Sequence, residues 1–412
     1  MAEQISFIHA ADLHLDSPFQ GLARTPAHIF KDIQASTFVA LDHLVQAAIE
    51  KQVDFVLLAG DLFDNEKQSL KAQIRLRRAF EELEHHQIHV YLSYGNHDYL
   101  NGNRHPVTYP DNVYIFKDEQ VNHFTYEKNN QKIAQIYGFS YENKAVHTNK
   151  AREYDIQDEH IPYHIAMLHG SLHSNTDHDV YAPFYLSDLV EKDFDYWALG
   201  HIHQREILKE NPHIVYPGNI QGRNRKEQGE KGCYHVTLSQ ASTTVSFVPL
   251  QAVQFQALVI DVSGCEEIHQ IETKIQTKLK KWQSSVPQLI QLQLTSDSTK
   301  LKQWEAEGYV EEMIELVNET SVHETRWLYI FRYTVAVSKT SLIDETLYKG
   351  EHFVGELMRH FDEVSVQPFL KELYQHKQAR KYLDSISAEE EKKVKGEAKE
   401  LLVNALLADG GE

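Results

Sequence analysis

The sequence predicts a layered α/β fold, with a first domain over residues 1–250, a small α/β domain over residues 251–340 and a helical tail over residues 341–412. Short apolar runs typical of buried strands alternate with segments whose apolar residues recur at helical spacing. This alternation favours layered packing of strands and helices. The chain has 412 residues, more than one ordinary hydrophobic core accommodates, so two or three domains are expected.

Five short aliphatic or aromatic runs in the first domain predict buried strands. These runs are Ile5–Ala10, Phe55–Ala59, Val90–Tyr94, Ile165–Leu168 and Tyr196–Leu199. Apolar residues at helical spacing predict amphipathic helices over Phe38–Ile49 and Leu70–Leu83. A β-hairpin is expected over Gly229–Leu250, and a domain boundary follows it.

Strand and helix patterns alternate again from Gln254 to Lys339, which predicts a small α/β domain. Its predicted elements are the strands Leu258–Val262, Gln288–Leu294 and Leu328–Val337 and the helices Glu266–Trp282 and Val310–Val317. The tail from Ser341 is charge-rich, and two sets of apolar residues in it recur at helical spacing. The sets are Phe353, Leu357 and Phe361, and Val394, Ala398, Leu401, Leu402, Ala405 and Leu406. Docking of a partner and ordinary packing within the chain explain this periodicity equally well.

A motif rich in Asp, Asn or His follows or overlaps the end of each predicted strand of the first domain. The motifs are Asp12-Leu13-His14, Gly60–Asp64, Gly95–Asp98, Leu168–Gly170 and Gly200–His203. Ligands gather at the carboxyl ends of strands in open α/β sheets, so these motifs are expected to converge. Taken alone, the Gly-Asp and Asn-His-Asp sequences are also good turn sequences, and a lone Asp-x-His or His-x-His is more often a surface or hydrogen-bonded core pair. Together their carboxylates, imidazoles and one amide suit Mn, Fe or Zn, and they predict a two-metal phosphoesterase site.

The five motifs resemble those of the calcineurin-like metallophosphoesterases, over roughly residues 1–250. Within that superfamily the chain resembles the SbcD-type DNA repair exonuclease subunits and their YhaO-like relatives, through Ala11–Phe19 and Tyr216–Arg223. The resemblance implies a layered β-sandwich flanked by helices, and hydrolysis of DNA phosphodiesters as a 3′-to-5′ exonuclease with some endonuclease capacity. It also implies that the small domain caps the nuclease site; a domain that only adds stability is the alternative.

Carried over residue by residue, the resemblance implies one metal on Asp12, His14 and His203 and a second on Asn96, His169 and His201. Asp61 would bridge the two ions. The resemblance favours Mn²⁺, although Fe, Zn or Co would accept the same ligands. A water shared by two cations loses its proton near neutral pH, so the resulting hydroxide is the expected nucleophile and no Ser or Cys is needed.

Five further residues are expected near the reaction. His97 is the expected general acid, and Asp98 is expected to accept a hydrogen bond from its imidazole, with a turn cap as the alternative. Asp64 is expected to orient a ligand or restrict the substrate, or else to cap a helix. Arg223 and Arg225 are candidate clamps for phosphate, with solvated surface arginines as the alternative.

The charge balance bears on the substrate. The chain carries 60 acidic and 41 basic residues, a formal net charge of −19. Strong autonomous binding of duplex DNA is therefore not expected, because few Lys or Arg contacts are available to release counterions. A nuclease whose partner holds the DNA remains compatible with this charge. The resemblance implies such a partner, an SbcC-like SMC-family ATPase docked on the C-terminal helices, and raises a homodimer as an alternative to a monomer.

Cysteine and hydropathy patterns bear on the compartment. Cys233 and Cys265 are the only cysteines and lie far from the metal motifs in sequence, so a reducing cytoplasm is expected. The N-terminus carries no signal-peptide pattern, and no apolar stretch approaches the ~20 residues that span a bilayer. A cytoplasmic location without membrane association is therefore expected.

Three functions are compatible with these observations. The first is a metal-dependent DNA nuclease subunit in DNA repair or processing, which the small domain and the helical tail favour. The second is a phosphodiesterase or phosphomonoesterase for small nucleotides or phosphoproteins, which the acidic charge favours. The third is a metal-containing scaffold that acts by binding, which the complete set of predicted ligands disfavours.

Overall fold

The computed structural model describes residues 3–22, 25–64, 68–102, 107–173, 181–282, 284–321 and 325–337, together with short stretches between residues 356 and 398. Residues 1–337 form one compact unit and residues 338–412 a second. The helices predicted in the tail lie largely outside the described residues. None of the described helices combines the length and apolarity that a membrane span requires.

The described part of the first unit contains fifteen strands and six α-helices. The strands are β1 (Ile5–Ala10), β2 (Phe55–Ala59), β3 (His89–Ser93), β4 (Val113–Ile115), β5 (Asn122–Lys128), β6 (Gln131–Gly138), β7 (Tyr163–His169), β8 (Tyr196–Gly200), β9 (Glu206–Glu210), β10 (His213–Tyr216), β11 (Gly232–Leu238), β12 (Thr243–Pro249), β13 (Gln254–Asp261), β14 (Gln288–Ser296) and β15 (Leu328–Val337). The helices are α1 (Ala27–Glu50), α2 (Leu70–His85), α3 (Leu186–Val190), α4 (Ile268–Lys280), α5 (Lys300–Ala306) and α6 (Tyr309–Ser321).

Two six-stranded sheets form the central layers. The first has the order β12-β11-β1-β2-β3-β4, and its strands β1 to β4 are parallel. The second has the order β5-β6-β7-β8-β10-β9, with β6, β7, β8 and β10 parallel. The sheets face each other across an apolar core that both contribute to, including Phe7 and Phe55 from the first and Ile165 and Tyr196 from the second. The predicted layered β-sandwich is therefore confirmed.

Helices cover the outer face of the first sheet. Alternate residues of β1 and β2, such as Ile8 and Val56, point away from the sandwich and pack with Leu41 of α1 and Phe80 of α2. Strands buried on both faces have no polar face to show in their sequence. This explains why these strands read as continuous apolar runs.

The third sheet is parallel, with the order β13-β14-β15. Its strands share a separate core with α4, α5 and α6, so the strands and helices predicted for the small α/β domain are present. A second apolar cluster joins Ile29 and Ile33 of α1 to Phe255, Leu289 and Trp327. The indole N–H of Trp327 also donates to the Asp32 carboxylate at 3.0 Å.

Two features of the fold go beyond the prediction. Helix α1 begins at Ala27 rather than near Phe38, because its first turns are buried against the third sheet. The β5–β6 hairpin was not predicted, although its turn residues Asn129 and Asn130 have φ angles of 52° and 60°. Asn adopts this left-handed conformation more readily than most residues and is favoured in two-residue hairpin turns.

His9 makes the fold sensitive to acid. Its imidazole is fully buried and hydrogen-bonds the Tyr196 hydroxyl at 2.9 Å and the Leu199 carbonyl at 3.0 Å. Burial lowers the pKa of His9 to about 3, although the bond to Leu199 opposes the shift. In the unfolded chain the imidazole binds a proton below about pH 6.5. The contribution of neutral His9 to the free energy of unfolding is therefore fully present above pH 6.5, and it declines as the pH falls toward 3.

We expect His9→Gln to reduce the slope of the free energy of unfolding against pH between pH 6.5 and 4. The reduction should correspond to about one proton, or about 1.4 kcal/mol per pH unit. Urea unfolding at several pH values measures the slope for the wild type and the variant. His86→Gln is the matched control, because the His86 side chain is 46% exposed. Equal slopes for the wild type and His9→Gln would contradict the assignment.

Candidate metal centre

The ends of five strands bring the predicted site residues together. β1, β2 and β3 supply them from the first sheet, and β7 and β8 supply them from the second. Backbone bonds tie neighbouring strand ends, including Asp12 N–H to the Gly60 carbonyl at 3.1 Å and His14 N–H to the Asp61 carbonyl at 3.0 Å. Across the second sheet, Gly170 N–H donates to the Gly200 carbonyl at 3.2 Å.

The first cluster consists of Asp12, His14 and His203, whose ligand atoms all lie within 4.8 Å of one another. The Nε2 atoms of His14 and His203 are 3.0 Å apart. Nε2 of His203 lies 3.9 Å from Oδ1 of Asp12. Asp12 and His14 are fully buried, whereas the His203 side chain is 23% exposed.

The second cluster consists of Asp61, His169 and His201, whose ligand atoms also lie within 4.8 Å of one another. Asn96 joins it, because its Oδ1 is 3.1 Å from Nε2 of His169 and 3.2 Å from Nδ1 of His201. Nδ1 of His169 lies 2.9 Å from the Ala59 carbonyl. A proton on Nδ1 would make that bond and leave Nε2 with a lone pair for a metal.

Asp61 of the second cluster also faces the first cluster. Its Oδ2 is 3.4 Å from Nε2 of His169 and 3.8 Å from Nε2 of His14. Its Oδ1 accepts a hydrogen bond from the backbone N–H of His97 at 3.0 Å. This carboxylate therefore faces a ligand imidazole of each cluster, as a bridging group must.

The donor atoms fit a pair of divalent cations. With metal–ligand bonds of about 2.1 Å, neighbouring ligand atoms lie about 3.0 Å apart in octahedral and about 3.4 Å apart in tetrahedral coordination. Four of the measured separations, 3.0, 3.1, 3.2 and 3.4 Å, fall close to these values. Bound there, two ions would stabilise negative charge on a phosphoryl group and activate a water. The mixed nitrogen and oxygen donors do not identify the metal.

Four of the predicted ligands have left-handed backbone conformations. Their φ angles are 52° for Asp12, 43° for His14, 53° for Asp61 and 97° for His201. Non-glycine residues adopt such angles at a cost of about 1–3 kcal/mol each, and they do so chiefly at functional sites. Surrounding hydrogen bonds hold them there, such as His201 N–H donating to the Asp12 carboxylate at 3.0 Å.

Burial and mutual charge set the ionisation of the two clusters. Burial favours the neutral form of Asp61, yet the charge of His169 and its hydrogen bond hold the pKa of Asp61 well below its usual range. The same carboxylate raises the pKa of His169 to about 9, against the effect of burial. Burial raises the pKa of Asp12 and lowers that of His14. The centre is therefore a buried group of strongly interacting charges.

Comparison with known proteins identifies the family. The family model "Calcineurin-like phosphoesterase" matches residues 5–205. The metallophosphoesterase YhaO of Bacillus subtilis is 38% identical over 415 residues, which cover 98% of this chain and 99% of that protein. The chain belongs to the calcineurin-like metallophosphoesterases. As a metallophosphoesterase it is a hydrolase of phosphoesters, and its fold implies divalent metal ions.

More distant relatives of this metallophosphoesterase are named as DNA double-strand break repair proteins. The DNA double-strand break repair protein Mre11 of Methanocaldococcus jannaschii is 24% identical over 302 residues, covering 67% of this chain and 78% of that protein. The protein of the same name from Thermoplasma acidophilum is 24% identical over 278 residues, covering 63% and 70%. The similarity to the Mre11 proteins therefore covers about two thirds of this chain.

His97 lies beside the two clusters. Its Nδ1 is 2.8 Å from the Asp64 carbonyl oxygen, and its ring packs edge-to-face on His14 with centroids 5.0 Å apart. The bond to Asp64 leaves Nε2 as the ring atom that can give up a proton. The role of His97 as a general acid stays a prediction.

The predicted role of Asp98 is wrong. Its two carboxylate oxygens accept hydrogen bonds from the backbone N–H groups of Gly95 and Leu62, each at 2.7 Å, and not from His97. The Asp64 carbonyl takes the position beside the imidazole. Asp98 is fully buried, and burial raises its pKa. Asp98 therefore holds the turn after β3 against the loop after β2. This matches the alternative role of a turn cap.

Asp64 and Arg223 form an ion pair at the edge of the first cluster. Asp64 does not cap α2, because that helix has Ser69 as its N-cap. Arg223 is not a solvated surface arginine: its side chain is 14% exposed and also lies 3.2 Å from Nδ1 of His203. Arg225 is exposed. Phosphate binding by either arginine stays a prediction.

Glu227 is a site residue that the sequence interpretation missed. Its Oε1 accepts a hydrogen bond from Nδ1 of His203 at 2.9 Å. The resemblance to the SbcD-type subunits rests partly on the segment Tyr216–Arg223, and Glu227 lies four positions after the end of that segment. A carboxylate beside that segment is the only signal in the sequence that could have indicated it.

Gly95 tests the second cluster. A Cβ atom at Gly95 would lie 2.4 Å from Oδ1 of Asp61 and 2.7 Å from Nε2 of His169. We therefore expect Gly95→Ala to displace these groups and to weaken binding of at least one metal ion by about 10–100-fold. Metal analysis after Mn²⁺ loading and desalting measures the effect. Gly396→Ala, where an added Cβ meets nothing within 4 Å, is the control. Full metal content in Gly95→Ala would contradict the proposed ligand geometry.

Proposed function

We propose that this metallophosphoesterase is the nuclease subunit of an SbcD-type DNA repair or processing system, acting as a 3′-to-5′ exonuclease with some endonuclease capacity. The observation that carries the proposal is the position of Asp61 between two clusters of metal-ligand side chains, with His97 beside them. Two cations held this way suit in-line hydrolysis of a phosphodiester. The names of the Mre11 relatives support DNA as the substrate.

The side chains divide the work of this reaction. Asp12, His14 and His203 would hold one ion, Asn96, His169 and His201 would hold the other, and Asp61 would contribute to both sites. His97 protonates the leaving oxygen through Nε2, while the bond from Nδ1 to the Asp64 carbonyl fixes the ring. The bond from His97 N–H to Asp61 ties this acid to the bridging carboxylate. General acids of this kind contribute about 10²–10⁴-fold to turnover.

The acidic surface leads us to propose a partner. A net charge of −19 provides little electrostatic affinity for DNA. We propose that an SbcC-like SMC-family ATPase binds the helices predicted from the sequence of the C-terminal tail and holds the DNA at the site. We also propose that the nuclease works with Mn²⁺ in the cytoplasm as a homodimer or a monomer.

A second candidate function shares every catalytic residue. A phosphodiesterase or phosphomonoesterase for small nucleotides or phosphoproteins would need no DNA-binding surface, and the net charge of −19 favours it. The two functions differ in the substrate that the purified chain hydrolyses.

We expect the purified chain with Mn²⁺ to remove nucleotides from the ends of labelled single- or double-stranded DNA, although strong binding of the duplex would need the proposed partner. A chromogenic phosphodiester assayed beside the DNA reports whether the metal centre is active. Turnover of the small diester with both forms of DNA untouched would favour the small-substrate alternative or a nuclease that needs its ATPase partner.

We expect His97→Ala to lower turnover of both substrates by about 10²–10⁴-fold while two ions remain bound, because His97 donates a proton and is not a ligand. Steady-state kinetics and metal analysis on the same preparation measure the two effects. His147→Ala, at an exposed histidine, serves as the control. Loss of metal from His97→Ala would show that the role is wrong.

A further inference from the structure

Glu227 uses both of its carboxylate oxygens within the site. Oε1 accepts from Nδ1 of His203 at 2.9 Å and from the Asn224 amide at 3.0 Å. Oε2 accepts from the Asn219 amide and from the backbone N–H of Arg223, each at 2.7 Å. The Glu227 side chain is only 10% exposed. Four hydrogen bonds therefore fix its orientation.

The contact with His203 has a consequence for the opposite ring nitrogen. When Nδ1 donates to Glu227, Nε2 carries the lone pair, and Nε2 is the atom that lies 3.0 Å from Nε2 of His14. His203 is also less restrained by its surroundings than the deeply buried imidazoles of the two clusters. Its side chain is 23% exposed, whereas those of His14 and His169 are 0% and 1% exposed.

Two further contacts restrict His203. The Lys231 ammonium donates to its backbone carbonyl at 2.9 Å. A terminal guanidinium nitrogen of Arg223 lies 3.2 Å from Nδ1 of His203 and 3.6 Å from Oε1 of Glu227. Because the His203 side chain is partly exposed, the hydrogen bond to Glu227 opposes rotation of the imidazole toward solvent.

We propose that Glu227 is a positioning residue, which holds His203 so that its Nε2 faces a divalent cation in the first cluster. The inference rests on the two-metal site of the proposed function but not on DNA as the substrate. Carboxylates that accept the second ring N–H of a metal-binding histidine orient the ring and raise its basicity. Removing such a carboxylate lowers metal affinity by about 10–100-fold.

Calorimetric titration of the metal-stripped full-length chain with Mn²⁺ tests the proposal without any substrate. We expect two ions to bind the wild type, and Glu227→Ala to weaken one of them about 10–100-fold while leaving the other unchanged. Glu227→Gln keeps an acceptor for Nδ1 and should show a smaller loss. Glu230→Ala, at an exposed carboxylate three positions later, should bind as the wild type does. If Glu227→Ala does not fold, Glu227→Gln carries the comparison.

A double-mutant cycle separates positioning from general support of the fold. Once His203→Ala has removed the ligand, adding Glu227→Ala should weaken Mn²⁺ binding no further. Additive losses, or unchanged affinity for both ions in a folded Glu227 variant, would overturn the proposal. Absence of Mn²⁺ binding to the wild type would overturn both this inference and the proposed function. Metal binding that depends on Glu227 in a chain that leaves DNA intact would support the inference and contradict only nuclease activity of the chain without a partner.

Discussion

The Asp61 carboxylate makes close contacts with both clusters, and this constraint governs the rest of the centre. Its Oδ2 faces one imidazole from each side, and its Oδ1 accepts the backbone N–H of His97. A carboxylate in this position must be ionised although it is buried, so it needs positive charge around it. The imidazoles supply part of that charge, and two divalent cations would supply more.

The fold meets this demand by ending several parallel strands at one edge of the sandwich. Strands place their final residues at fixed separations, and loops need only short turns to bring the ligands inward. Those turns require left-handed backbone at Asp12, His14, Asp61 and His201. The conformational cost at these residues is balanced by the two sheets, whose shared core leaves the strand ends little room to relax.

The sequence was informative where chemistry and structure share one signal. Apolar runs that end in Asp, Asn or His predicted both the strands and the residues that the structure brings together. The β5–β6 hairpin escaped prediction because its strands carry a mixed polar pattern, and its Asn-Asn turn is a weaker signal than Asn-Gly. Asp98 and Glu227 depend on which of several nearby N–H groups each carboxylate accepts, and that choice is made by tertiary contacts rather than by spacing.

Ile29 and Ile33 of α1 are buried against Phe255, Leu289 and Trp327. The stability of the first domain therefore depends on the small α/β domain. A polypeptide cut near residue 250 would leave this apolar surface of α1 uncovered and the Asp32 carboxylate without its indole donor. Such fragments tend to associate with themselves rather than fold as independent modules. The small α/β domain therefore covers an apolar surface of α1, and truncations that separate the two would have to replace that cover.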